Sequence, residues 1–333
     1  MSENIEDTAL VNVKDKKIVH VGIVVEDAAR IAVEMTRLLG IGPWTLMHVM
    51  PTDLTFHDKF FGSVPYVQAI ALASFGDLQI ELVEPLYGEG PHNEHLRNHG
   101  RSVQHISFGE VDDYDDMLAG LRAAGFPVEF QGHLAGAAEA TYLDMVEDIG
   151  TVLEFTKPLP PAPPGARSGI VPLGTYAPLS PAVITAKGKK IATIGIVVGD
   201  AEKVAKRYME IFGVGPWSFT DITARDVVLR GRSLGKASFS LKSGVARFGN
   251  FAIELLQPLS GPSMHVEFLG IHGNGIHHLS FGCIEDADEV AAAMQKEGYD
   301  VEMRAVIGGA TESFYLSTRK KLGVVFQFDK KLG

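Results

Sequence analysis

The sequence predicts an α+β chain formed by tandem duplication, each copy made of two βαβββ modules curved around a cleft. Three observations lead there: an internal repeat at constant offset, strand-period patterning that gives way to helical patterning twice within each copy, and a proline-rich break between the copies. Residues 17–25, KIVHVGIVV, match 190–198, KIATIGIVV, and LLGIGPW (38–44) matches IFGVGPW (211–217). The same shift of 173 aligns Glu81 with Glu254, Gly100 with Gly273, His105 with His278, Gly125 with Gly298 and Tyr142 with Tyr315. Because the offset never changes, the copies compare position by position without gaps.

The elements follow in order along the first copy. Residues 18–25 alternate as a strand, and Asp27 can cap a helix over 28–39 that stops at Gly40. Strands follow near 66–74 and 77–84, turning at Phe75-Gly76-Asp77. The second module opens with a strand at 103–109, has a helix over 113–124 ended by Gly125, and closes with strands near 127–130, 139–143 and 151–156. Residues 158–186 hold 8 of the 17 prolines, which keeps them out of helix interiors and central strands. The expected organisation is a flexible tail (1–16), a first domain (17–157), a linker (158–186) and a second domain (187–333).

Bulk properties narrow the class further. A chain of 333 residues that is 46% hydrophobic can bury two cores of ordinary size. Its apolar runs are short and the first residues lack the order of a secretion signal, so a cytoplasmic protein outside the membrane is expected. The only cysteine, Cys283, excludes a disulfide framework and leaves His and carboxylates as the plausible metal ligands. Residues 1–165 carry 10 Lys+Arg against 25 Asp+Glu, and 166–333 carry 20 against 16. An acidic first half argues against a nucleic-acid partner and leaves a small-molecule substrate.

Alternation across each strand separates the residues that face helices from those that face the cleft. Val19, Val21, Ile23 and Val25 share one face, and His20 lies on the other. Glu81 lies opposite Ile80 and Leu82, His105 opposite Ile106 and Phe108, and Glu154 opposite Leu153 and Phe155. A curved sheet would gather these four, and two imidazoles with two carboxylates make an N,O site for a borderline divalent metal. Without a cation, the carboxylates would repel one another.

The succession HVGIVV, GIGPW, IELVEPL, HISFGEVDD and a late TVLEF resembles the vicinal-oxygen-chelate superfamily of glyoxalases, bleomycin-resistance proteins and extradiol dioxygenases. It is most similar to the methylmalonyl-CoA epimerase and glyoxalase I branch, over residues 17–157 and 190–330. The resemblance implies paired βαβββ modules forming a strongly curved open sheet, with metal ligands His20, Glu81, His105 and Glu154. It implies one divalent ion (Ni, Co, Zn, Mn or Fe) and an epimerase, isomerase or lyase that removes a proton beside a metal-chelated oxygen. Glu154 is the first candidate base and Glu81 the second. Alternatives are an iron-dependent ring-cleaving dioxygenase using His20, His105 and Glu154, and a binding protein without catalysis.

The second copy carries Thr193, Glu254, His278 and Gln327 at the matching positions, a set too poor in ligands for a tight site there. His277 is one residue out of phase and is expected on the other face. If modules paired across copies, two three-ligand sites would form; the concentration of ligands in one copy favours pairing within it. The chain is expected to be a monomer with an internal pseudo-dimer, or a homodimer. Trp44 and Trp217 read as turn and core packing. His92, His95 and His99 read as cleft-rim residues, and Asp112, Asp113, Asp115 and Asp116 as a solvated helix start. Basic residues near Arg225–Lys242 are a weak match for a phosphate-bearing substrate, because no phosphate-binding glycine loop accompanies them.

Overall fold

A computed structural model describes residues 9–11, 16–62, 64–134, 137–160, 169–177, 182–184, 189–235 and 238–333. The first copy runs β1 (His20–Val24), α1 (Ala28–Leu39), β2 (Trp44–Val49), β3 (Thr52–Phe56), β4 (Lys59–Gly62), β5 (Val67–Phe75) and β6 (Leu78–Tyr87). It continues through α2 (Pro91–His99), β7 (Ser102–Glu110), α3 (Tyr114–Ala123), β8 (Val128–Leu134), β9 (Ala138–Met145), α4 (Val146–Ile149) and β10 (Thr151–Pro158). Asp27 accepts from the Arg30 amide and Gly40 is left-handed at φ 68°, so α1 starts and stops where its capping residues require.

The strand order is β2-β5-β6-β1-β7-β10-β9-β8-β3-β4, with β1 parallel to β6 and antiparallel to β7. Both modules of this sheet therefore come from the first copy, joined at β1 and β7. Only Met50 and Pro51 separate β2 from β3, yet β3 pairs with β8, several strands away. Two intervening residues reach roughly 10 Å. The sheet must curl until its ends meet, which turns its polar face inward.

Past the first copy, β11 (Ile170–Tyr176) lies along β2 as an edge strand. This part of the proline-rich segment takes an edge position, where proline is tolerated. Further along, the Val183 and Ile184 amides donate to the Arg37 and Leu38 carbonyls at 2.9 and 2.8 Å. Residues 161–168, 178–181 and 185–186 of the expected linker lie outside the described residues, as do 187–188 of the expected second domain and 1–8 and 12–15 of the expected tail. Of that tail, Val11 is buried in the core, its amide 2.8 Å from the Ile211 carbonyl.

The second copy repeats the plan: β12 (Thr193–Val197), α5 (Ala201–Phe212), β13 (Ser218–Leu229), β14 (Arg232–Ser233), β15 (Phe239–Phe248), β16 (Phe251–Ser260), α6 (Met264–His272) and β17 (Gly275–Cys283). α7 (Ala287–Lys296), β18 (Val301–Ile307), β19 (Thr311–Leu316), α8 (Arg319–Leu322) and β20 (Val325–Lys331) complete it. Here β13 is continuous, and Ala224 pairs with both Phe239 and Ile307. The first copy has Pro51 at that position, which has no N–H to donate and marks the interruption between β2 and β3.

The copies meet on their helix-bearing sides. A Cβ on Gly150 would stand 2.4 Å from Ile196, and one on Gly323 would stand 2.4 Å from Ile23. Gly150 and Gly323 are equivalent under the repeat, as are Ile23 and Ile196, so one contact is made twice about a pseudo-two-fold axis. Phe108 packs edge-on against Phe212 and Phe248 across this boundary, within one continuous apolar core. No described helix is long and apolar enough to cross a membrane.

Candidate metal centre

Four adjoining strands supply the four polar residues singled out by alternation. β1 contributes His20, β6 Glu81, β7 His105 and β10 Glu154, and all four point into the concave face. His20 Nε2 lies 2.8 Å from Glu154 Oε2, 3.5 Å from Glu81 Oε2 and 3.3 Å from His105 Nε2. His105 Nε2 lies 3.3 Å from Glu81 Oε2 and 3.8 Å from Glu154 Oε2. His105 is fully buried, while His20, Glu81 and Glu154 keep a sliver of exposure.

Neighbouring backbone makes this approach possible. Gly22 on β1 faces His105 across the ladder, and a Cβ there would be 1.9 Å from His105 Cε1. Only glycine leaves room for the ring. On the far edge of the imidazole, His105 Nδ1 is 3.2 Å from Gln104 Oε1. Donation from Nδ1 to that amide oxygen leaves a lone pair on Nε2, facing the other three groups.

A divalent cation fits this donor set. Glu81 Oε2 and Glu154 Oε2 are buried without a well-aligned hydrogen-bond donor, although imidazole nitrogens stand close to both. The four groups thus aim at a shared space more than at one another, and an unsatisfied buried oxygen costs roughly 1–3 kcal/mol that a cation would remove. His20, His105 and Glu154 offer donor atoms all within 4.8 Å of each other, and Glu81 stands just outside that tightest group. Burial works against a charged His20, but the Glu81 and Glu154 carboxylates outweigh it and push the imidazole up to about 9. Burial would likewise raise the Glu154 carboxyl. His20, His105 and the Ser107 hydroxyl hold it well below the usual carboxylate range.

His92 adjoins the centre, with its ring centroid 6.2 Å from that of His105 and Nδ1 2.8 Å from the Tyr66 hydroxyl. Burial pushes it down to about 3. Far from a rim residue, it is fully enclosed. The offset of 173 pairs His92 with His265 and His99 with His272, a signal in the sequence that the strand-face argument does not use. His95 sits 2.9 Å from Ser102 Oγ and takes no part in the centre.

In the second copy the equivalent positions are occupied differently. Glu254 accepts from Ser243 Oγ at 2.6 Å, and Gln327 Nε2 donates to Asp329 at 2.5 Å. Ser243 stands where the first copy has Ile70, so this carboxylate has a donor and burial raises its pKa. The expectation that His277 points away from His278 is overturned. At β17 the register slips, with His278 opposite Gly195 and Ile276 opposite Ile196. His277 is then the extra residue of a β-bulge, and its Nδ1 lies 3.1 Å from His278 Nδ1. The same bulge carries Gln104 in the first copy, which is why Gln104 reaches His105.

Other singled-out residues have structural roles. The Trp44 indole donates to Thr36 Oγ1 and the Ile41 carbonyl, and that of Trp217 to the Val214 carbonyl. Asp113 and Asp115 pair with Lys16 and Lys157. Arg230 is held by Glu267 and Glu302, and Lys242 by Glu202, which takes these two cations out of the basic stretch considered for a phosphate. A cavity of about 680 Å³ is lined by Arg230, Asp288, Gln295 and Lys320, away from the four-residue cluster.

Two segments, 19–143 and 193–315, match the model of the Glyoxalase/Bleomycin resistance protein/Dioxygenase superfamily. No curated protein sequence matches the chain. Among solved structures, a triple mutant of 4-hydroxymandelate synthase from Streptomyces coelicolor is similar in fold, with TM-score 0.59 and 14% identity over 96% of this chain and 93% of that one. The Mn(II)-bound glyoxalase from Novosphingobium aromaticivorans aligns at TM-score 0.46 and 14% identity, covering 96% and 83% of the two chains. BphC, a halotolerant catechol dioxygenase, aligns at 0.42 and 11% identity over 96% and 88%.

Proposed function

The chain belongs to the Glyoxalase/Bleomycin resistance protein/Dioxygenase superfamily, and on that premise we propose that its first copy is a metal-dependent isomerase, epimerase or lyase that removes a proton beside an oxygen of a small-molecule substrate. The observation that carries this reading is the convergence of two buried carboxylates, Glu81 and Glu154, on the Nε2 atoms of two imidazoles, His20 and His105. A divalent ion held by His20, Glu81, His105 and Glu154 would act as a Lewis acid, withdrawing electrons from a substrate oxygen and so acidifying the adjacent C–H.

The residues divide the remaining work. Gln104 fixes the His105 tautomer, and the Tyr142 and Ser107 hydroxyls hydrogen-bond Glu154. Glu154 lies in the tightest group and its basicity is depressed, which suits an anchor better than a proton acceptor. Glu81 stands outside that group and is the more exposed carboxylate. We therefore assign the base to Glu81 and the anchor to Glu154, reversing the order the sequence suggests.

Exchange of the substrate C–H with deuterated solvent tests this assignment. Glu81→Gln should retain the metal and lose exchange by about 10²–10⁴-fold, the usual contribution of a general base. Glu154→Gln should lose metal and exchange together. Full exchange in a metal-loaded Glu81→Gln enzyme would remove Glu81 from the role.

A second reading draws on the compact His20, His105 and Glu154 group, two imidazoles and one carboxylate, which is the ligand set of iron-dependent oxygenases. Oxygen uptake with catechols under ferrous iron, in place of solvent exchange, would select it.

A further inference from the structure

The second copy holds a cluster that its lost ligand positions do not explain. His265 of α6 and His277 and His278 of β17 offer one nitrogen each, all within 4.8 Å of one another, and all three rings are buried. His265 has neither ring nitrogen hydrogen-bonded, although it is wholly enclosed. A buried imidazole left without partners carries a desolvation cost that nothing offsets. His277 Nδ1 and His278 Nδ1 are 3.1 Å apart. Two nitrogens sharing a tetrahedral ion at ~2.0–2.1 Å stand roughly 3.3–3.4 Å apart, so little movement is needed to admit one.

Comparison with the first copy isolates two replacements that produce this arrangement. Tyr66, whose hydroxyl meets His92 Nδ1, is replaced by Phe239, so His265 loses its partner. Gln104, which meets His105 Nδ1, is replaced by His277 on the same bulge. One change removes a hydrogen-bonding group, and the other adds an imidazole beside the nitrogen left over. His277 meets His278 at Nδ1, the edge that on His105 meets Gln104 while Nε2 faces the first copy's carboxylates. The cluster thus lies behind the position of the first copy's centre, on the α6 side.

We propose that His265, His277 and His278 form a second metal site, binding a late first-row ion of the Zn(II) class through three neutral imidazoles. Such a donor set differs from that of the first copy in having no carboxylate. Burial holds His265 down to about 4 and His278 to about 3, so their nitrogens are unprotonated at neutral pH. A cavity of about 400 Å³ bounded by His277, Phe268, Met264 and Val325 gives the ion and a fourth, water ligand a route in. Arg319, whose guanidinium stacks on Phe268, lines the same cavity and would favour an anion as the exchangeable ligand.

The full-length chain carrying His20→Ala and Glu154→Gln silences the first centre and leaves only this one to titrate. After chelator treatment, calorimetric titration with Zn2+ should give one equivalent, against two for the unmodified protein. Adding His277→Gln, the first copy's residue, or His265→Asn should weaken binding by about a hundredfold or more, at or beyond the upper end of outer-shell effects. Zn2+ should also shift the imidazole nitrogen resonances of all three histidines in the doubly substituted chain, a reading that needs no further variant. Absence of that equivalent, unmoved resonances, or binding indifferent to both histidine changes would overturn the proposal.

Discussion

At the residue scale, the proton on His20 sets how the centre assembles. Its folded pKa, about 9, is above the ordinary 6.5, so the stability it brings to the metal-free protein is complete below about pH 6.5 and lost as pH rises through about 9. Glu154 is depressed, so its contribution is present above about 4.5 and lost as pH falls through its lower folded value. Between those limits the metal-free centre is held by an imidazolium between carboxylates. A cation must displace that proton, so binding at pH 7.5 should release close to one proton, and affinity should climb with pH until about 9. Calorimetric titration in buffers of different ionisation enthalpy measures the release; none in the intact protein, or an undiminished release in His20→Ala, would contradict it.

At the element scale, the strands that carry ligands were legible because each sets its polar residue opposite an apolar stripe, and α1 because its cap and stop residues flank an amphipathic run. β2 and β3 were not, since WTLMHV and TDLTF alternate weakly and derive their pairing from the curl of the sheet. The bulge at Gln104 and His277 was also hidden. Side-chain pattern records which face a residue would take in a regular strand, and a bulge changes that face through backbone pairing alone. The turns after α4 and α8 bear the contact between copies. Gly323→Ala places a Cβ against Ile23 in a backbone at φ 86°, combining left-handed strain with overpacking, for a loss of roughly 2–5 kcal/mol. Gly150→Ala should cost a similar amount against Ile196, and denaturant midpoints measure both. A loss under about 1 kcal/mol in each would mean that the boundary yields easily.

At the scale of the whole molecule, the repeat in the sequence announced the duplication, and concentration of ligands in one copy pointed to modules paired within it. It did not reveal that both copies share one apolar core, because Phe108, Phe212 and Phe248 look like ordinary interior residues of their own sheets. A shared core couples the halves, so heat should unfold them in one transition with calorimetric and van't Hoff enthalpies that agree. Two resolved transitions would show that each copy stands by itself.

Pro51 interrupts, in the first copy, a strand that its twin keeps whole from Ser218 to Leu229. Where Ala224 fastens two neighbouring strands at once, the first copy has a two-residue joint, Met50-Pro51, that belongs to neither strand. Amide deuterium uptake should accordingly run faster across residues 48–54 than across 221–227, and equal protection would count against such a joint. The cluster in which chemistry is expected would then open and reclose at its own wall, while the twin barrel remains shut around its three imidazoles.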